Sequence, residues 1–540
     1  MSLPVRPELT IAVVPFVGSH QTEENQWFGA LLARLLADHL IAAGLPVYGY
    51  DTVAAQIADS NLQVPLSEEG IQAIRRDLRL AYLAQGRFVV DDDSKMMGLR
   101  IIVENEAGAR IPLEVSSPVA RFPQFVEQVS LALIEQLGGK VTDEARRAIN
   151  GVARPASFEA FRQLSMAIMS WHRGQNQLAL ASVTSALSLD PMLEEAAGIE
   201  AAIARDANDT ATTREAFRRW SAIAGKRGRP LVAAERLQML GHWLADHGEW
   251  SEAHKAYEDA RAIYSAENNE YGKTQVANNL ANLDMLSGKL QAAIQTYRRS
   301  LSVYKAMPQA ELDLAATYFN LAVAHKSLGQ ADEAHKALDE ALNMFRRLKD
   351  SSLEASCLAL RGALHDDQGE WGRASNDYAQ ASNLFEIAGD DRHLALVRSH
   401  QGILKKQQGA FEQAESLMLE ALRLFEEGGD PHEQAVIWFN LADLYYSMGL
   451  VDPALEYAQK AHKALSDLKS GWTSRARQLT QTLERFPRQP STGSATASAG
   501  LLDFSIEPEG PDSETDAFID ESSAESASNL PLLSEDEPID

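Results

Sequence analysis

Six glycines mark the second half of this 540-residue chain at nearly equal intervals: Gly248, Gly288, Gly329, Gly369, Gly409 and Gly449, spaced 40, 41, 40, 40 and 40 residues apart. Five residues after each stands an alanine: Ala253, Ala293, Ala334, Ala374, Ala414 and Ala454. Seven residues before each Gly the side chain is small (Gly241, Ala281, Ala322, Gly362, Gly402, Ala442), and it is small again seven after each Ala (Ala260, Ser300, Ala341, Ala381, Ala421, Ala461). Four residues further on comes a large side chain: Tyr264, Tyr304, Phe345, Phe385, Phe425 and Leu465. Such a period predicts two antiparallel helices per repeat, with the first ending at the Gly turn. Small residues let the helices approach closely, and the large ones fill the groove between neighbouring repeats.

These positions resemble a tetratricopeptide repeat (TPR) array with the longer period of kinesin-light-chain-like repeats. "FRQLSMAIMSWHRGQNQLALASVTSALSLDP" fits one repeat of standard length, with Ala167, Gly174, Ala179, Ala186 and Pro191 in place. A degenerate pair follows over 194–224, carrying Ala216 and Trp220. The expected organisation is one standard and one degenerate repeat over 155–230, six 40-residue repeats over 231–470, and a capping helix over 471–486.

Residues 1–140 read differently. "LTIAVVPF" is an apolar run suited to a central strand, and "NQWFGALLARLLADHLIAAG" has helical spacing through Trp27, Leu31, Leu35, Leu36 and Leu40. A strand at "PVYGY" and helices near 51–59 and 67–79 are expected next. Strands at "YLAQGRFVV", "MGLRIIVEN" and "RIPLEVS" follow, the last two joined by "EAGA", and then a helix over about 121–137. This small α/β domain is similar to the TolB-like N-terminal domain. The likeness rests on Asn25, Trp27 and Phe28, and on Gly86, which it places at the end of the third strand. The fold class expected for the whole is thus an α/β domain, then an all-α TPR solenoid, then a tail.

That tail, 487–540, is rich in Ser, Pro, Gly and acid, and is expected to be disordered. Residues 491–540 hold 13 Asp/Glu and no Lys/Arg, half of the chain's net charge of −26. Its apolar clusters (Leu501, Leu502, Phe504, Ile506; Phe518, Ile519; Leu530, Leu532, Leu533) suit short docking motifs. The acidic balance argues against a nucleic-acid partner. No apolar run reaches membrane-spanning length and no leader segment is evident, so a cytoplasmic protein without a membrane partner is expected.

Catalytic and cofactor patterns are not found. "GKT" at Gly272–Thr274 has Glu267 where a phosphate loop needs Gly, "GGKVT" at 138–142 has Val141 in place of Ser/Thr, and the opening loop "VGSHQTEEN" carries two acids. The histidines, His242, His325 and His365 among them, lack paired ligand spacing, and Cys357 sits in an apolar helix. No enzyme activity, metal or cofactor is expected.

In a TPR array the first helices line a concave groove, with residues just before the small position, and one after it, pointing inward. Asn278, Asn279 and Asn282, then Phe319 and Asn320, then Trp438, Phe439, Asn440 and Tyr446 are the candidate groove residues. The family resemblance implies that Asn279, Asn320 and Asn440 contact peptide backbone; the alternative is that they tie adjacent helices together. A second candidate is an anion patch of Arg218, Arg219, Lys226, Arg227 and Arg229, which the chain's own acidic tail could occupy. The function expected is a non-enzymatic scaffold binding a protein or peptide. A sensor or regulator in bacterial signalling, relaying groove occupancy through the TolB-like domain or the tail, is the alternative.

Overall fold

The computed structural model describes residues 10–485 apart from 20, 21, 61, 63, 65, 92, 153, 154 and 469, so the expectations for the acidic tail lie outside the described residues. These residues form two compact units, one of residues up to 240 with 262–267, the other of 241–261 with those from 268 onward.

The first unit opens with a sheet. Strands β1 (Thr10–Val13) and β2 (Val17–Gly18) lie parallel to β3 (Leu80–Asp91), which pairs antiparallel with β4 (Met96–Asn105), and that with β5 (Arg110–Pro118). Helices α1 (Glu23–Ala42), α2 (Tyr50–Asp59) and α3 (Glu68–Leu78) connect β2 to β3, and α4 (Phe122–Gln136) and α5 (Asp143–Gly151) follow β5. The unbroken apolar run at the start has a physical reason. Ile11 and Val13 enter the core with Leu32, Leu36, Phe125 and Val129 of α1 and α4, while Ala12 and Val14 enter the one with Val53, Ile57, Ile71 and Ile74 of α2 and α3. A strand covered on both faces cannot alternate with polar residues.

Three sequence expectations change here. "PVYGY" makes a single parallel bridge, Val47 to Ile11, because Gly49 already caps α2. Gly86 lies inside β3 rather than at its end. A Cβ there would stand 2.3 Å from the Arg100 carbonyl oxygen, so the close approach of β4 demands glycine. Helix α5 is additional, and its Ile149 belongs to the same core as α1 and α4.

Among the described residues from 158 onward every element of regular structure is helical: α6 (Phe158–His172), α7 (Asn176–Leu189), α8 (Glu194–Asp206), α9 (Thr210–Lys226), α10 (Pro230–Asp246), α11 (Trp250–Ala266), α12 (Glu270–Leu286), α13 (Leu290–Tyr304), α14 (Glu311–Ser327), α15 (Ala331–Leu348), α16 (Ser351–Asp367), α17 (Trp371–Ala388), α18 (Asp391–Gln407), α19 (Phe411–Gly428), α20 (Pro431–Ser447), α21 (Val451–Asp467) and α22 (Thr473–Glu484). The expected class, an α/β region followed by an all-helical repeat solenoid, is what forms. The periodic glycines take the left-handed conformation, φ 69° to 75°, that turns a first helix into its partner.

The turn between repeats has its own grammar in three later repeats. Lys349, Gly389 and Gly429 end second helices in left-handed geometry, and Asp350, Asp390 and Asp430 then cap the next first helix through a carboxylate oxygen, at 3.0, 3.1 and 3.1 Å from a backbone N–H. Ala293, Ala334, Ala374 and Ala414 are buried with Tyr297, Phe345, Phe385 and Phe425 in one continuous core of the second unit.

Candidate functional site

On the first helices of the second unit one contact recurs in register. The residue one place after the small position bonds the residue two places before the small position of the next first helix. The His242 ring on α10 meets the Asn279 side chain on α12. Asn282 Oδ1 on α12 accepts from Asn320 Nδ2 on α14 at 3.2 Å, and also from the Tyr297 hydroxyl at 2.5 Å. Further along, the same two places hold Val323 and Leu360, both buried and apolar. Next come Ala363 and His400, whose Nδ1 lies 2.8 Å from the Leu396 carbonyl of its own helix. The last pair is Ile403 and Asn440. Ile403 offers no polar partner, and the Asn440 side chain, half-buried, has no hydrogen bond among the described residues.

The candidate residues therefore separate. Asn279 is turned toward His242 of α10, Asn282 and Asn320 are turned toward each other, and Asn278 Nδ2 donates to Thr317 Oγ1 at 2.6 Å. The Asn278 Oδ1 is enclosed without a partner. Phe319 lies in the core at 6% exposure. On α20, Trp438 packs half-buried against that core, Phe439 meets Trp472 edge-on at 5.5 Å, and Tyr446 borders the cluster of Ala442 and Leu455. Asn440 thus sits on a helix with three half-buried aromatics and keeps an uncommitted amide, able to donate and accept at once.

Charged groups on the first helices are mostly spent on one another. Arg361 binds the Asp377 carboxylate through two donors, at 3.0 and 2.7 Å, and His365 Nδ1 lies 2.9 Å from the same group. Lys326 pairs with Asp367 at 3.4 Å and Lys406 with Asp443. Burial, then the neighbouring Asp367, raises the Asp366 carboxyl above the usual range. Burial also pushes His242 down to about 4 despite the Asn279 hydrogen bond, so its ring is neutral near pH 7.

The anion patch does not assemble as an open cluster of cations. Arg219 binds both oxygens of Glu200 at 2.6 Å, Arg229 pairs with Glu194, and Arg227 donates to the Met192 carbonyl. Arg218 and Lys226 stay exposed. These carboxylates lie 19 and 35 residues away in sequence, so a scan for clustered charge cannot see them.

The "GKT" segment is the first turn of α12. Asn269 caps it by accepting from the Gly272 N–H at 2.8 Å, and Lys273 reaches back to Glu270 at 2.7 Å. Burial raises the Cys357 thiol far above its ordinary value, which removes its nucleophilic form. Among the described residues no three His, Cys, Asp or Glu side chains are placed to hold a metal ion. No helix among them is long and apolar enough to cross a membrane.

Sequence-family comparison matches a tetratricopeptide repeat model to residues 272–347, 313–387 and 393–467. A soluble NSF attachment protein (SNAP) model matches 180–304. The chain carries tetratricopeptide repeats. Comparison with curated protein sequences gives no match. Solved structures similar in fold include the apo form of RapI, at 14% identity, covering 51% of this chain and 98% of that one with a TM-score of 0.42. Another is a Signal Transduction ATPase with Numerous Domains protein with a tetratricopeptide repeat sensor from Pyrococcus horikoshii, at 13% identity, 66% and 54% coverage and 0.42. A third is the nearly identical TPR-like repeats of a kinesin light chain from Podospora anserina, at 14% identity, 36% and 95% coverage and 0.31.

Proposed function

We propose that the chain is a non-enzymatic scaffold whose second unit binds a protein or peptide on its first-helix face, most directly around α20. The observation that carries this reading is the uncommitted Asn440 amide beside Trp438, Phe439 and Tyr446, where the equivalent amides Asn279 and Asn320 are consumed by neighbouring helices. Amide donors and acceptors hold peptide backbone, and half-buried aromatics supply apolar area at low entropic cost. The tetratricopeptide repeats support the same reading, being a fold whose stacked helices present extended binding surfaces. A cytoplasmic location and the kinship of the α/β region with TolB-like domains belong to this proposal, as does relay of an occupied face in signalling.

The test is capture of partners from native lysate by the intact chain and by its Asn440→Ala and Tyr446→Ala variants. Loss of one defined partner in both variants, with thermal stability unchanged, is the expected result. Equal capture by all three proteins would overturn the assignment to α20.

A further inference from the structure

The first repeat differs from the repeat opened by α12 in what its first helix presents. Relative to its small residue, Ala167, α6 presents Phe161, Leu164, Ile168, Trp171 and His172 at offsets −6, −3, +1, +4 and +5. On α12 the same offsets hold Gln275, Asn278, Asn282, Met285 and Leu286. An apolar and aromatic row in place of amides needs a cover, and within the first unit α1 supplies it. Phe28 of α1 meets Phe161 edge-on at 5.0 Å and Phe158 at 5.4 Å, and Phe122 adds a contact to Phe161 at 5.1 Å. Trp27 stacks on the His172 ring at 4.9 Å and 21°. Leu31 packs against both the sheet's core and the core built on Leu164 and Ala167, alongside Ile168 and Trp171.

Phe28 and Trp27 of one helix therefore engage the two ends of this row, Phe161 and His172, and Leu31 packs against the core around Leu164 between them. Leu31 lies three places after Phe28 and four after Trp27, the spacing at which the anchors of a helix laid into a groove fall. We propose that the row on α6 is a helix-binding site, and that α1 of the chain's own α/β fold is its resident ligand. Its ligand class is a helix led by an aromatic pair with Leu one turn on. The site is filled in cis, so the first repeat takes no outside partner while α1 is seated. This inference is independent of binding at α20 and stands if that proposal fails.

The test uses the full-length chain carrying Trp27→Ala with Leu31→Asp, two half-buried side chains at the joint. The probe is a fluorescent peptide of residues 22–43. The variant should keep the amide protection of the β3–β4 ladder, exchange its α6 amides on the order of tenfold faster, and bind the probe saturably. The wild-type chain, its site filled, should not bind it, and a probe carrying the same two substitutions should bind neither protein.

Unchanged α6 exchange in the variant, or equal probe binding by both proteins, would overturn the proposal. If the double variant loses the sheet altogether, the reciprocal substitution decides. His172 is exposed, so His172→Ala leaves the fold standing, and it should speed exchange around Trp27. No change there would overturn the proposal equally.

Discussion

Asn320 on α14 donates from Nδ2 to Asn282 Oδ1 on α12 at 3.2 Å, and the Tyr297 hydroxyl donates to the same oxygen at 2.5 Å. One amide oxygen thereby ties two consecutive repeats and the second helix between them. With Asn320 only 8% exposed, its amide would otherwise be a buried polar group without compensation.

Asn320→Ala should therefore act on stability. It removes the donor, leaves Asn282 with Tyr297 alone, and should cost about 1–2 kcal/mol in urea unfolding of the full chain. Asn440→Ala, which breaks no hydrogen bond, should stay within about 0.5 kcal/mol of wild type. Reversal of that order would show that the inter-repeat bond contributes nothing and that Asn440 is the structural residue.

His242 should make stability pH-dependent on the acid side. Its folded pKa, about 4, lies below the ordinary 6.5, so the unfolded chain takes up this proton first as the pH falls. The contribution is complete above pH 6.5 and is lost progressively down to about 4. His242→Gln should show a shallower fall of the urea midpoint across that window. The carboxylates are common to both proteins and cancel in the difference. Parallel curves would mean that the ring is not shielded from water.

Much of this architecture is legible in the sequence because helix approach imposes a strict demand. Where α10 crosses α11 near Gly241, or α16 crosses α17 near Gly362, only small side chains fit, and the requirement returns every 40 residues. Helix α5 is different: "DEARRAING" is short, polar and outside the period, and only Ala145 and Ile149 show that it packs. The site is less legible still. Asn279, Asn320 and Asn440 are equivalent in sequence, and what separates them is the partner across the helix interface, His242, Asn282 or Ile403. The apolar row on α6 did carry a signal, since Phe161, Leu164, Ile168 and Trp171 on one face cannot stand in water uncovered.

Gly241 and Gly402 occupy equivalent places but should tolerate alanine differently. A Cβ on Gly241 would stand 2.4 Å from the Tyr257 ring, a rigid plate held in a buried position. At Gly402 the nearest obstacle is Met418 Cγ at 2.7 Å, on a side chain with several rotatable bonds, and the Ala414 carbonyl oxygen stands off at 3.2 Å. Gly241→Ala should cost about 1–3 kcal/mol, and Gly402→Ala distinctly less, by the shift in thermal midpoint. Equal losses would mean that Met418 is as fixed as the ring.

The Cys357 thiol should be silent in the native protein. It is fully buried, and burial lifts it far from the range where thiolate forms near neutral pH. A chromogenic disulfide reagent at pH 8 should label no thiol until denaturant is added, then one per chain, the sole cysteine. Prompt labelling of the folded chain would show that α16 opens locally.

Asp377 should be the most sensitive single charge in the second unit. Its carboxylate is 3% exposed and receives two donors from Arg361 and a third contact from His365. Asp377→Asn keeps the shape but strands the Arg361 cation, whose side chain is itself only 22% exposed, so a loss of about 3–5 kcal/mol is expected. If the stranded charge causes that loss, removing it should restore stability. Asp377→Asn combined with Arg361→Met should then be more stable than Asp377→Asn alone, in urea unfolding at pH 7. A double variant no better than the single one would place the loss in packing around α17 instead of in the unpaired guanidinium.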